Sequence, residues 1–238
     1  MPQKRQLESR IALVTGASRG IGRAVALRYA EEGAHVIALA RTTGALEELD
    51  DEIRERGGTA TLVRLNLAHG EKVDALGPTI FERWGKLDIL VGNAGILGPL
   101  SPLGHVLERD WQQVLDINLT ANWRLIRSLD PLLRKSDAGR AIFVTSGAAT
   151  RCRAYWGPYS VSKAGLEALV KTYAAESENT PVRANMINPG PVATAMRRKA
   201  MPGEDPKTLP SPAELGDLFV ELALPSCTKN GEVVAFHR

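Results

Sequence analysis

Short apolar runs alternate with amphipathic helical periods along nearly the whole chain, and few folds satisfy that alternation other than βαβ units wound into a parallel sheet. The strand-like runs are Ile11–Thr15, Ala34–Ala40, Thr59–Leu65, Leu87–Gly92, Arg140–Thr145, Val182–Asn188 and Glu232–Phe236. Between and after them, Gly20–Glu32, Gly44–Gly57, Glu71–Trp84, Glu108–Lys135, Tyr155–Glu178 and Pro212–Leu224 carry helical spacing. The expected fold class is therefore α/β, a doubly wound parallel sheet of about seven strands with helices on both faces, spanning residues 1–238 as a single domain. The 238 residues are 44% hydrophobic and 24% charged, which excludes a disordered chain. A net charge of +3 names no nucleic-acid partner. The first apolar run, Ile11–Val14, is too short for a leader or a membrane span. Two cysteines and four scattered histidines show no metal-ligand spacing, so no metal is expected, and a reducing, cytoplasmic setting is.

Thr15-Gly16-Ala17-Ser18-Arg19-Gly20-Ile21-Gly22 leaves the first strand and opens a helix, the position at which a Rossmann-like fold keeps its phosphate loop. Glycine lets the backbone turn sharply and a pyrophosphate approach, while free N–H groups and the helix dipole attract the anion. The spacing is G-x-x-x-G-x-G, so placement in the fold carries the inference. A rival is the G-x-S-x-G nucleophile elbow of a serine hydrolase, using Ser18 with His237. Hardly ten residues precede this strand, whereas the elbow follows a strand deep in its sheet.

At the end of the second strand, where an acid would bind the ribose of NAD, stands Ala40-Arg41. Arg41 and Arg19 together suit a 2′-phosphate, so NADP (NADPH) is the expected cofactor and NAD the less favoured one. Tyr159 and Lys163, four residues apart, share a helix face. A phenol with a reference pKa of about 10 is lowered by a nearby ammonium, which Lys163 would supply. Ser146 ends the fifth strand and can face Tyr159 from the sheet edge where such folds bind ligands.

At this point the chain resembles the classical short-chain dehydrogenase/reductase family from Ile11 to about Met196. Thr15–Gly22 is similar to its glycine motif and Asn93-Ala94-Gly95 to its N-A-G element; Asn118, Ser146, Tyr159 and Lys163 match its catalytic tetrad. Pro189-Gly190 with Val192 and Thr194 resembles the segment that holds the nicotinamide carboxamide. The cofactor set so implied is Gly16, Ser18, Arg19, Gly20, Ile21, Gly22, Arg41, Asn66, Leu67, Asn93, Ala94, Gly95, Tyr159, Lys163, Pro189, Gly190, Val192 and Thr194. Three departures stand out. Asn66 replaces a frequent aspartate, Gly92 replaces an asparagine, and the tail Ala235-Phe236-His237-Arg238 replaces a glycine-rich ending.

The resemblance implies hydride transfer between nicotinamide and a ketone or secondary alcohol, as in a 3-oxoacyl reductase-like carbonyl reductase. Ser146 and Tyr159 would bind the carbonyl, Tyr159 would donate the proton, Lys163 would bind the nicotinamide ribose and tune Tyr159, and Asn118 would hold a water. The strand ends place Leu97, Ala148, Arg153, Trp156 and Met196 around a small-molecule carbonyl or alcohol substrate. An NADP-binding scaffold or sensor would keep the glycine loop without needing the tetrad. Apolar residues on two long helices (Trp111, Leu115, Leu119 and Trp123; Leu166, Leu169, Val170 and Tyr173) lead to the expectation of a homodimer or homotetramer. The proline-rich stretch 197–212 reads as a mobile lid.

Overall fold

Val, Ile, Leu and Ala fill seven short runs that pair side by side in parallel, most of them shielded on both faces as parallel strands require. A computed structural model describes residues 5–237. The strands are β1 (Ile11–Thr15), β2 (His35–Ala40), β3 (Thr59–Arg64), β4 (Ile89–Gly92), β5 (Arg140–Val144), β6 (Arg183–Asn188) and β7 (Val233–Ala235). Their order is β3-β2-β1-β4-β5-β6-β7, all parallel. The chain winds outward from β1 to β3, then returns to lay β4 beside β1. That reversal opens a crevice between the two strands' C-terminal ends.

Helices α1 (Gly20–Glu31) and α2 (Thr43–Glu55) follow the first two strands, and α3 (Gly70–Asp74) with α4 (Leu76–Trp84) follows the third. Next come α5 (Glu108–Leu115), a π-turn (Asp116–Thr120), α6 (Ala121–Leu133), α7 (Ala148–Arg151), α8 (Gly157–Glu176), α9 (Ala195–Ala200) and α10 (Gly216–Ala223). One core layer packs Val25, Tyr29, Leu49 and Phe219 from α1, α2 and α10 on the sheet. The opposite layer packs Ile80, Leu125, Leu129, Leu166 and Val170 from α4, α6 and α8.

Each expected strand is present to within two residues. The helix expected over 71–84 breaks at Ala75, because Pro78 has no N–H for the Asp74 carbonyl, which accepts from Ser128 Oγ at 2.9 Å instead. The long helix over 108–135 contains the π-turn, where the Ala121 N–H reaches back to the Asp116 carbonyl. The helix expected from Tyr155 begins at Gly157, since Tyr155 has a left-handed φ of 71°. Helices α7 and α9 are four and six residues long, too short to leave a period in the sequence. Among the described residues no helix is long and apolar enough to cross a membrane, and no group of three or more His, Cys, Asp or Glu gathers to hold a metal.

The expected apolar surplus on α8 is smaller than its sequence suggests. Leu166, Val170 and Tyr173 lie under α8 against the sheet layer, and Leu169 alone of the four is partly accessible. On the neighbouring element Trp123 stays 42% exposed, flanked by Arg124 and Arg127.

The N-terminal edge of the sheet, opposite the crevice, is locked by the fully buried carboxylate of Asp88. It accepts from Arg10 Nη1 at 3.1 Å, Lys86 Nζ at 2.9 Å, Ser136 Oγ at 2.6 Å and the Ile11 N–H at 2.9 Å. Burial pushes the Asp88 carboxyl up, but the Ser136, Ile11 and Lys86 donors outweigh it and hold it below its ordinary value. A carboxylate depressed in the folded state stabilises above its unfolded pKa of about 3.9, and the benefit is lost as pH falls through the folded value. Asp88→Ala is expected to cost about 3–5 kcal/mol near neutrality by stranding buried donors and cations. Urea denaturation of both proteins checks this, and the difference should shrink below about pH 4.

Candidate active site

The crevice is a cleft of about 740 Å³ along the C-terminal ends of β1, β2, β4, β5 and β6. At one end lies the turn from β1 to α1. Gly16 has φ 68°, and a Cβ there would stand 2.9 Å from Asn93 Nδ2 and 3.1 Å from Ala94 Cα. At Gly22 a Cβ would lie 2.4 Å from the Gly16 carbonyl, so α1 can rest on its own loop only without a side chain. Asn93 fixes this loop by donating Nδ2–H to the Thr15 carbonyl at 2.9 Å. Thr15 Oγ1, buried, accepts from the backbone N–H groups of Asn93 and Ala94 at 3.0 and 3.1 Å. Arg19, the N-cap of α1, supplies no side-chain cap, so the first-turn N–H groups keep their capacity for an anion.

Arg19 and Arg41 are both exposed, both line the cleft, and neither has an ion-pair partner among the described residues. Leu67 and Asn66 line the same end, with Asn66 Oδ1 accepting from the Ala68 N–H at 3.2 Å and its amide N–H groups left to donate. No acid stands at the end of β2 to meet a ribose.

At the other end, three side chains from two elements converge. Tyr159 and Lys163 project from one face of α8, and Ser146 follows β5. The Ser146 hydroxyl faces Tyr159 closely enough to oppose the upward shift of its phenol. Lys163 Nζ donates to the Val144 carbonyl at 2.8 Å and stands 5.8 Å from the centre of the Tyr159 ring. Burial pushes the Tyr159 phenol up, against the opposing Ser146 hydroxyl. Burial also pushes the Lys163 amine down, to about 8. The expectation that Lys163 lowers the phenol is thus not met by the protein alone, because loss of water on burial outweighs the opposing Ser146 hydroxyl.

That shift has a measurable sign. An unfolded lysine holds its proton to about pH 10.4, so between about 8 and 10.4 the unfolded chain binds the extra proton, and this group makes stability rise with pH. Lys163→Met is expected to flatten that rise, read as the difference in denaturation midpoint between pH 8 and pH 10.

Asn118 sits in the π-turn, buried. Its Oδ1 accepts from the Ile96 N–H at 2.8 Å, and its Nδ2 donates to the Ile96 carbonyl at 2.9 Å and to Ser162 Oγ at 3.0 Å. The side chain is therefore fully engaged in pinning the irregular segment that follows β4 beside Gly95, whose absent Cβ leaves room 3.7 Å from Lys163 Nζ. Pro189, Gly190, Val192 and Thr194 line the cleft below β6, and Thr194 Oγ1 caps α9 by accepting from the Arg197 N–H at 3.2 Å.

The structure brings Gly16, Ser18, Arg19, Gly20, Ile21, Arg41, Asn66, Leu67, Asn93, Ala94, Gly95, Ser146, Tyr159, Lys163, Pro189, Gly190, Val192 and Thr194 to the cleft wall, with Gly22 and Asn118 behind it. Of the expected substrate contacts, Leu97, Trp156 and Met196 line it, while Ala148 only packs against their cluster. Arg153 is exposed and lies outside the lining. Sequence reasoning placed Thr15 in the glycine motif without its hydroxyl role, and missed Gln113 and Ser162. The first and last act through hydroxyls with no spacing signal, and Gln113 lines the cleft from α5 although exposed.

The sequence profile described as short chain dehydrogenase matches residues 10–205. The chain belongs to that family. Short-chain dehydrogenase membership makes it an oxidoreductase, and the relatives agree. An Escherichia coli K12 protein named Uncharacterized oxidoreductase YciK is 38% identical over 224 residues, 93% of this chain and 88% of that one. A Synechocystis 3-oxoacyl-(acyl-carrier-protein) reductase is 39% identical over 80% of this chain and 77% of its own. A Shigella flexneri short chain dehydrogenase solved in complex with NADP superposes with a TM-score of 0.94 at 38% identity, over 98% of this chain and 99% of that one. The Rossmann-like sheet expected from the sequence is the architecture this short-chain dehydrogenase has.

Proposed function

We propose that this oxidoreductase uses NADPH to reduce a ketone to a secondary alcohol. The observation that carries the reading is one continuous cleft with two unpaired guanidinium groups, Arg19 and Arg41, at one end and Ser146, Tyr159 and Lys163 at the other. The uncapped start of α1 and the side-chain-free Gly16 suit a pyrophosphate, the two arginines a 2′-phosphate, and the NADP-bound Shigella relative supports the same choice. The cofactor supplies the hydride.

The chain's own residues manage the charge and the proton. Ser146 and Tyr159 donate hydrogen bonds to the carbonyl oxygen, which gains negative charge as its carbon is reduced. Tyr159 then gives that oxygen its proton. A phenol kept protonated by burial is suited to that donation, and Lys163, its ammonium held on the Val144 carbonyl, stabilises the phenolate left behind. Asn118 holds the floor of the site through Ile96, and its carbonyl accepts from Asn122 Nδ2 at 2.8 Å. Leu97, Trp156, Met196 and Ala200 make the substrate end apolar, which suits a ketone on an aliphatic or acyl body, as in the 3-oxoacyl substrates of the Synechocystis relative.

A screen of ketones, 3-oxoacyl thioesters and alcohols with NADPH and NADP, followed by absorbance of the reduced nicotinamide, tests the reading. NADPH-dependent reduction of an apolar ketone is expected; tight NADPH binding with no turnover of any carbonyl would instead favour a sensor. We further place the enzyme in the cytoplasm, and infer a homodimer or homotetramer joined through Trp123 and the accessible face of α8, which light scattering checks.

Residues 197–212 are read as a lid over the nicotinamide end. The segment opens in α9, is clasped by Arg197 Nη2 on Glu204 Oε1 at 2.6 Å, and is tethered by the Ala193 N–H on the Pro210 carbonyl at 2.9 Å. Hydrogen exchange is expected to slow over these residues on adding NADPH and a substrate analogue; equal exchange in both states removes the lid.

A further inference from the structure

Three consecutive residues at the end of β5 are each tied to α8. Val144 accepts from Lys163, Ser146 faces Tyr159, and between them Thr145 Oγ1 donates to Glu167 Oε1 at 2.8 Å. Tyr159, Lys163 and Glu167 follow one another at intervals of four, on one face of the helix. Two of these ties belong to the chemistry already assigned; the third does not. Glu167 is half-buried beside the core residue Leu166, and no Lys or Arg pairs with it among the described residues. Its partner Thr145 is 1% exposed. A carboxylate spent on a neutral, buried hydroxyl is a poor way to stabilise a helix–sheet contact that an apolar pair would fill better.

We propose that Glu167 is a positioning residue: by accepting the Thr145 hydroxyl it fixes the end of β5 against α8, and so fixes where Ser146 stands relative to Tyr159 and Lys163. The assignment rests on the reductase reading above. Thr145 lies next to Ser146 in the chain, so a shift of the Thr145 backbone toward or away from α8 carries the Ser146 hydroxyl with it.

The test uses the full-length protein with Glu167→Leu, Glu167→Gln, Thr145→Val and the Glu167→Leu/Thr145→Val double variant. Thr145→Val keeps the volume and guards against misfolding. On the best ketone, Glu167→Leu and Thr145→Val are each expected to lower kcat roughly tenfold to hundredfold, as small misplacements do, with NADPH affinity unchanged. The double variant should be no worse than either single one, and Glu167→Gln, whose amide oxygen accepts the same bond, should stay within about threefold of the parent. A Glu167→Leu protein with the parent's kcat, or losses that multiply in the double variant, or kcat and NADPH affinity falling together, would overturn the proposal. A second readout needs no substrate. The Tyr159 phenol, followed by ultraviolet titration against Tyr159→Phe, should titrate higher in Glu167→Leu because the Ser146 hydroxyl that lowers it is displaced. An unmoved titration rejects the positioning role even if the parent protein reduces no ketone, an outcome that would separately reject the reductase reading.

Discussion

Tyr159→Phe is expected to lower turnover by about 10²- to 10⁴-fold, the range a positioned proton donor contributes, while leaving NADPH affinity almost unchanged. The substitution removes one hydroxyl and keeps the ring that packs edge-on to Trp156 at 5.9 Å between centroids. The fold should survive, because Leu97, Ala200 and Trp156 still surround the ring. Steady-state kinetics on the best ketone, paired with cofactor titration by fluorescence quenching, separates the two effects. A kcat near that of the parent would mean that another group, such as the Ser146 hydroxyl, delivers the proton. Lys163→Met should differ in kind, lowering turnover and cofactor affinity together, since its ammonium is assigned to both tasks.

At the opposite end of the cleft, replacing Arg19 and Arg41 together by alanine is expected to weaken NADPH binding roughly tenfold to hundredfold and to leave NADH binding near its starting value. The asymmetry follows from charge. Only NADPH presents a 2′-phosphate, and only these two guanidinium groups at that end are free of carboxylate partners among the described residues. Both are exposed, so added salt should erode the preference in the parent protein and have less to erode in the double variant. Equal losses for both cofactors would assign the arginines to the pyrophosphate instead.

Most strands were legible because they are buried on two faces and therefore apolar without interruption; β1, β4 and β5 need no partner to be recognised. Helix ends were less so. Pro78 and the Ser128 hydroxyl decide where α3 yields to α4, and the second of these lies 51 residues beyond the Gly77 that it also binds. The positions of Tyr159, Lys163 and Ser146 could be read from spacing and strand order, but their electrostatics could not. A helix face shows that two groups are near each other, and only the packing around Tyr159 shows that loss of water governs both. Arg153 illustrates the reverse error. It follows the right strand, yet the left-handed backbone at Cys152 and Tyr155 brackets a loop that keeps it in solvent. Likewise the apolar residues of α8 were countable, but which of them the sheet absorbs depends on how far the helix rolls over it.

The π-turn at Asp116–Thr120 can also be viewed as an insertion that has been retained. Deleting any one residue between Leu115 and Ala121 would restore regular α-helical hydrogen bonding across the junction, a locally better helix. It would also remove the wider turn that absorbs the extra residue, leaving α5 and α6 nearly in phase but carrying the Asn118 amide away from Ile96. Helix quality and site geometry are therefore opposed over these five residues, and a variant library ranked by heat resistance alone would reward shortening the chain here at the expense of catalysis.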